Sequence, residues 1–151
     1  MTINLTPENL LNELKKTGSL MELLKPEQFA EPELLADKIA KEYVGKMKPT
    51  QLRKFFHALK EKERELKGKP DDEDLDSKSK AKISLFIPEL AYARGRKLIP
   101  QSFYELMRLC LSSDKLKKVG DLKVLMQFLT SILAYYKYHE REKEEGKNDK
   151  S

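Results

Sequence analysis

The sequence predicts an all-α fold, a compact helical bundle of about five or six helices closing on a long C-terminal one. Three observations predict it. Apolar residues recur at three- and four-residue spacing in every periodic segment, no segment alternates as a half-buried strand would, and Pro or Gly marks most starts and stops. Charged residues make up 36% of the 151 and the mean hydropathy is −0.67, yet apolar residues reach 39%, enough for a modest core. Residues 1–151 read as a single helical domain.

Thr6-Pro7-Glu8 ahead of Leu10, Leu11 and Leu14 opens the first helix with Pro at its first position, and Gly18 stops it. A second helix opens at Pro32 and carries Leu35, Ile39 and Tyr43 to a stop near Gly45. The third starts at Pro49 or Thr50 and ends at Gly68, with Leu52, Phe55, Phe56, Leu59 and Leu66 on one stripe. Residues 69–79 then read as a mobile, Asp-rich linker. A fourth helix spans Ile83, Phe86, Ile87 and Leu90, with Pro88 predicting a kink there rather than a fresh start. Gly95 closes it. Pro100 opens a fifth, with Phe103, Leu106, Met107 and Cys110, and Gly120-Asp121 precedes the last. Leu122, Leu125, Met126, Phe128, Leu129, Ile132, Leu133 and Tyr136 put apolar groups on more than one side of that helix, so it should be central. Residues 141–151 lack an apolar anchor and read as a disordered tail.

Several function classes are disfavoured. One cysteine, Cys110, and two histidines, His57 and His139, cannot build a Cys/His zinc cage, and no Gly-rich phosphate loop or nucleophile–base spacing is present. No enzyme activity and no cofactor are expected. No run approaches the ~20 apolar residues of a membrane span, and the N-terminus lacks a signal pattern, so a cytoplasmic protein without membrane partners is expected.

Charge is distributed unevenly. The first 45 residues carry five basic against eight acidic side chains, whereas Lys46 to Lys67 carries eight basic against three acidic. Residues 68–80 are acidic again, and 81–136 hold nine basic against four acidic. Basic segments of this kind favour polyanionic partners. On the third helix, Arg53, His57, Lys60 and Arg64 fall on one face, away from the apolar stripe. Such a rail can follow a phosphate backbone without reading bases; alternatively it is a solvated face partly neutralised by Glu61 and Glu65. Arg94-Gly95-Arg96-Lys97 sets three cations around a glycine that can adopt a left-handed cap and turn the arginines toward one surface. Lys115, Lys117, Lys118 and Lys123 read as solubility charge, and Cys110 as a small buried hydrophobe. Of Tyr135, Tyr136 and Tyr138, Tyr136 continues the apolar stripe and should be buried with its hydroxyl wet.

In order along the chain stand Thr50-Gln-Leu-Arg-Lys54, a charged linker, Tyr92-Ala-Arg-Gly-Arg96, a phenylalanine-led helix, and Leu133-Ala-Tyr-Tyr-Lys-Tyr138. This order, from about Val44 to His139, resembles the small subunit of the type III-A CRISPR interference (Csm) complex. The resemblance implies a non-catalytic RNA-binding subunit that lines the guide RNA–target RNA duplex by sequence-independent backbone contacts. It further implies backbone and large subunits as partners and copies stacked head to tail. By motif match, Arg53, Lys54, Arg94 and Arg96 would face RNA. Helical geometry extends the set to Lys60 and Arg64, and proximity to Lys97 and Lys137. The rival reading is a helical protein–protein adaptor with an incidental basic surface.

Overall fold

Thr6 and Asn9 open the first helix by a reciprocal exchange: the Asn9 N–H donates to Thr6 Oγ1 at 3.2 Å and the Thr6 N–H to Asn9 Oδ1 at 2.8 Å. The structure, a computed structural model, describes residues 4–149 and the side chains of 4–146. Among the described residues the elements are helices, namely α1 (Leu10–Lys16), α2 (Leu20–Leu23), α3 (Pro26–Phe29), α4 (Leu35–Tyr43), α5 (Pro49–Arg64), α6 (Ser77–Ser84), α7 (Phe86–Gly95), α8 (Gln101–Cys110) and α9 (Val119–Asp149). The all-α expectation holds, and no helix among the described residues is long and apolar enough to cross a membrane. The short helices α2 and α3 were not expected; at one turn each they are too brief to show a helical period.

The last helix is central, as its two-sided apolar pattern predicts. α2, α3, α4 and α5 lie against α9, while α8 contacts α1 and α7, and α6 joins α5 to α7. Leu122, Leu125, Met126, Phe128, Leu129 and Ile132 are all buried, and Phe29 packs on Phe128 at 5.1 Å between ring centroids. A second aromatic line runs outward: Tyr43 meets Phe103 edge-on at 5.6 Å, Phe103 meets Phe55 at 5.7 Å, and Phe55 meets Phe86 at 6.1 Å. Cys110 is fully buried, and burial pushes its thiol up to about 12, so it supplies packing and no thiolate.

Asp121 fastens the start of α9. Its carboxylate is buried and accepts the N–H groups of Met21 (2.8 Å), Lys117 (3.0 Å) and Lys118 (2.8 Å), joining α2 to the turn before α9. A Cβ at neighbouring Gly120 would run into the Met21 thioether and come within 3.0 Å of the Asp71 Cβ, so a larger residue there has to displace the Met21 side chain.

Three expectations need correction. Residues 69–79 are docked rather than loose: Leu75 is buried, its N–H donates to the Lys117 carbonyl at 2.9 Å, and the Val119 and Gly120 N–H groups donate to the carbonyls of Glu73 and Asp71. Asp74 pairs with Lys118 and Asp71 with Lys123 at 2.8 Å, while Asp76 caps α6 by accepting the Ser79 N–H at 2.6 Å. Pro88 does not kink one helix. The chain breaks at Leu85, and Pro88 falls in the first turn of α7, where its missing N–H leaves no intrahelical bond unmade. Residues 141–149, expected to begin a disordered tail, continue α9 as helix, with Arg141 and Glu145 paired one turn apart at 3.1 Å and the side chains described there exposed. Residues 150–151 lie outside the described residues.

Two stability predictions follow from these contacts. Asp121→Ala strands three backbone donors and should lower the unfolding free energy by about 3 kcal/mol, read from the urea midpoint; a loss below ~0.5 kcal/mol would contradict the fastening role. The second concerns Asp37, on α4. Burial pushes its carboxyl up, but the Glu33 N–H, the His139 side chain and Lys41 outweigh burial and hold it below the usual carboxylate range. A folded-state pKa below the unfolded one stabilises above about pH 4, and that share is lost as pH falls through the lower folded value. Asp37→Asn should therefore flatten the fall of stability below about pH 4 in acid titrations.

Candidate nucleic-acid interface

Two helix ends bring the basic segments together. α4 stops at Gly45, whose φ of +86° is left-handed, and Lys46, Met47 and Lys48 lead directly to Pro49 at the start of α5. α7 ends in a Schellman turn: the Lys97 N–H donates to Arg94 O at 2.9 Å and the Leu98 N–H to Ala93 O at 3.0 Å. The left-handed residue there is Lys97, at φ +62°, whereas Gly95, the expected candidate, stays inside the helix. The Lys48 N–H then bonds the Leu98 carbonyl at 3.2 Å, which ties the two ends. From behind, buried Tyr136 on α9 donates its hydroxyl to Met47 O at 2.7 Å, so that hydroxyl is bonded and not wet.

This junction opens two recesses. One, of about 410 Å³, is lined by Lys46, Lys48, Lys97 and Lys143 together with Glu140 and Glu144. The other, of about 440 Å³, is a groove between α5 and α7 with Lys54, Gln51, Tyr92 and Arg96 on its walls and Phe55 and Phe86 beneath. The first turn of α5 carries no acidic side chain, so its positive helix end adds to the lysines and leaves the junction suited to an anion.

The predicted residues divide by partner. Arg53 and Lys54 are exposed and have no hydrogen bond or ion pair among the described residues. Arg53 lies close enough to Tyr136 to oppose the rise in that hydroxyl's pKa that burial and Glu140 produce. Arg96 and Lys97 are exposed as well, and the Arg96 guanidinium sits over the Tyr92 ring at 5.7 Å from its centroid. The four other predicted cations are engaged. Lys60 pairs with Glu63 at 2.7 Å, Arg64 with Glu61 at 2.6 Å, and Lys137 with Glu140 at 3.5 Å. Arg94 is a strut across the α7–α8 turn, donating to Gln101 Oε1 at 3.0 Å and to Ile99 O at 3.3 Å. The rail on α5 is thus bare at its N-terminal end and neutralised toward its C-terminal end. Exposed helix pairs such as Arg64–Glu61 hold by only about 0.3–0.5 kcal/mol, so Arg64 can exchange its carboxylate for another anion at small cost, while Lys60 and Glu63 form a part-buried pair.

Sequence reasoning did not single out Lys46, Lys48, Lys143 or Tyr92. Lys46-x-Lys48 against Pro49 was a usable signal, because cations just ahead of a helix start lie at its positive end. Of the group expected as solubility charge, Lys117 is exposed without a side-chain partner among the described residues, but the other three are structural. Lys115 is buried and donates to the Thr17 carbonyl, and Lys118 and Lys123 clamp the Asp-rich run. No group of three or more His, Cys, Asp or Glu able to hold a metal ion occurs among the described residues.

Compared with known proteins, the chain matches the family model described as Csm2 Type III-A over residues 27–142, which takes in α4 and most of α9 as well as the basic junction. No curated protein and no solved structure matches it.

Lys97 gives this interface a test separable from folding. A non-glycine residue in left-handed conformation costs about 1 kcal/mol, so Lys97→Gly should leave stability unchanged or raise it by up to ~1 kcal/mol in urea unfolding. The same variant should bind polyanions such as heparin more weakly; unchanged retention on a heparin column would remove Lys97 from the interface.

Proposed function

The chain belongs to the Csm2 type III-A family, whose members are small structural subunits of the type III-A Csm complex, and on that premise we propose that it is a non-catalytic RNA-binding subunit of that effector. It lines the guide RNA–target RNA duplex in the cytoplasm and holds it through phosphates rather than base edges. The observation that carries this reading is the junction of α5 and α7. There Arg53, Lys54, Arg96 and Lys97 lack carboxylate partners among the described residues, with Lys46 and Lys48 beside them. A subunit that serves guides of any sequence must contact what all share, and Arg and Lys on rigid helices do that. Arg64 and Lys137 extend the surface by exchanging their carboxylates, Lys60 does so less readily, and Arg94 positions the Arg96–Lys97 turn. Other subunits of the complex are its protein partners. On the amino-terminal third Glu8, Glu22, Glu27, Glu31, Glu33 and Glu42 are exposed beside Lys15, Lys16, Lys25, Lys38 and Lys41, and this slightly acidic segment of one copy meets the basic junction of the next in a head-to-tail contact that propagates.

Anisotropy titrations of the full chain with unrelated RNA sequences over a salt series test the reading. Affinity should fall steeply with salt and differ little between sequences. The triple variant Arg53→Ala, Lys54→Ala, Arg96→Ala should lower the slope of log K against log salt by about 2–3, near one unit per lost phosphate contact. Lys60→Ala with Arg64→Ala should lower it less. No binding at low salt, or an unchanged slope in the triple variant, would contradict phosphate contact and favour the adaptor reading.

A further inference from the structure

Resting on the reading that RNA is the ligand, we propose that the groove between α5 and α7 is a pocket for one unpaired nucleotide, its base stacked on Tyr92 and its phosphate held by Lys54 and Arg96. Tyr92 is 68% exposed, a large ring left in water on the wall of a recess. Its surroundings differ from those of the other exposed tyrosine. Tyr138 borders a more open depression lined by Lys41, Lys143, His139 and Glu142, with no second aromatic ring of the core beneath it among the described residues, whereas Tyr92 lines a groove of about 440 Å³ that holds Lys54 and Arg96 together with Phe55 and Phe86. That volume lies in the range of small-ligand sites, about 300–1,000 Å³.

The chemistry of the walls selects the occupant. The floor is rigid, because Phe86 and Phe55 continue through Phe103 and Tyr43 into the core. Arg96 already lies against the Tyr92 ring, so the ring and guanidinium together form an aromatic and cationic platform, the combination that holds a stacked base next to its phosphate. Gln51 and Glu89 on the rim offer both donors and acceptors to a base edge without matching one base in particular. An apolar protein side chain in the groove would strip water from Lys54 and Arg96 and give them no counter-charge. A paired base cannot enter either, since both its faces are covered in the duplex. The pocket therefore takes nucleotides that are unpaired or splayed out, beside the duplex that the basic junction holds.

Adenosine 5′-monophosphate titrated into the ¹⁵N-labelled full chain, with ribose 5-phosphate as the base-free probe, tests the pocket apart from the RNA reading. Expected are amide shifts confined to residues 51–58 and 86–98, with binding of ribose 5-phosphate about tenfold or more weaker. Tyr92→Ala should weaken binding of the nucleotide about tenfold or more, and Tyr92→Phe, which keeps the ring, should bind as the parent does. Equal binding of the two probes, nucleotide affinity unmoved by Tyr92→Ala, or no shifts into the millimolar range would overturn the pocket. The salt-dependent RNA reading would then still stand on its cations. Conversely, nucleotide binding at Tyr92 together with no RNA binding at low salt would overturn the RNA reading, and with it the assignment of RNA as the pocket's ligand.

Discussion

Everything that can meet an anion in this molecule is held in place by the burial of one helix. The first half of α9 has too many apolar faces to lie on a surface, so α2, α3, α4 and α5 close around it. A helix surrounded in this way must also satisfy the backbone donors at its own start. The carbonyls of Glu73 and Asp71 do so for the Val119 and Gly120 N–H groups. Asp121, a carboxylate taken out of water, is stable there only because the N–H groups of Met21, Lys117 and Lys118 bond it, and it so ties α2 and the preceding turn to α9. The Asp-rich run then packs across that start. One turn below the packed half, Tyr136 reaches Met47, and through it the rigidity of α9 is passed to Lys46 and Lys48. The basic junction is made of turns, but they are turns bonded to the core.

Partners separate structural charge from functional charge more sharply than composition does. The chain carries 30 basic side chains, and many of them have work inside the fold. Lys115 holds a carbonyl, Lys118 and Lys123 hold aspartates, Arg94 braces a turn, and Lys60 and Arg64 lie against glutamates on their own helix. Among the described residues Arg53, Lys54, Arg96 and Lys97 stay without a carboxylate partner where α5 begins and α7 ends, as do Lys38, Lys67 and Lys117 elsewhere on the surface. Lys97, like Glu33, occupies a backbone conformation that glycine would fill with less strain.

How much of this the sequence shows depends on how local each feature is. The end of α4 and the starts of α5 and α8 are legible because Gly45, Pro49 and Pro100 act within one turn of where they stand, whereas α4 begins at Leu35 rather than Pro32 and α5 ends at Arg64, a turn short of Gly68. Pro88 misleads, since a proline in a first turn and one in a helix interior look alike until the break at Leu85 is known. The Asp-rich run misleads for another reason: its lysine partners lie 44 and 52 residues away, and only packing brings them near. The arginine and lysine rail on α5 is visible from helical spacing, and so are the glutamates beside it, but which cations they occupy is a matter of rotamers. The meeting of Lys46 and Lys48 with Lys97, and the exposure of Tyr92, are tertiary facts with no counterpart in spacing. Family membership adds the assembly in which the subunit works and leaves the individual contacts to be measured.

The most direct test is a map of where RNA touches the full chain. Backbone amide shifts on adding a short guide–target duplex should cluster at residues 46–54 and 92–98, with the surface of α1 to α4 undisturbed. Shifts centred on α1 to α4, or spread evenly over all faces, would contradict the account.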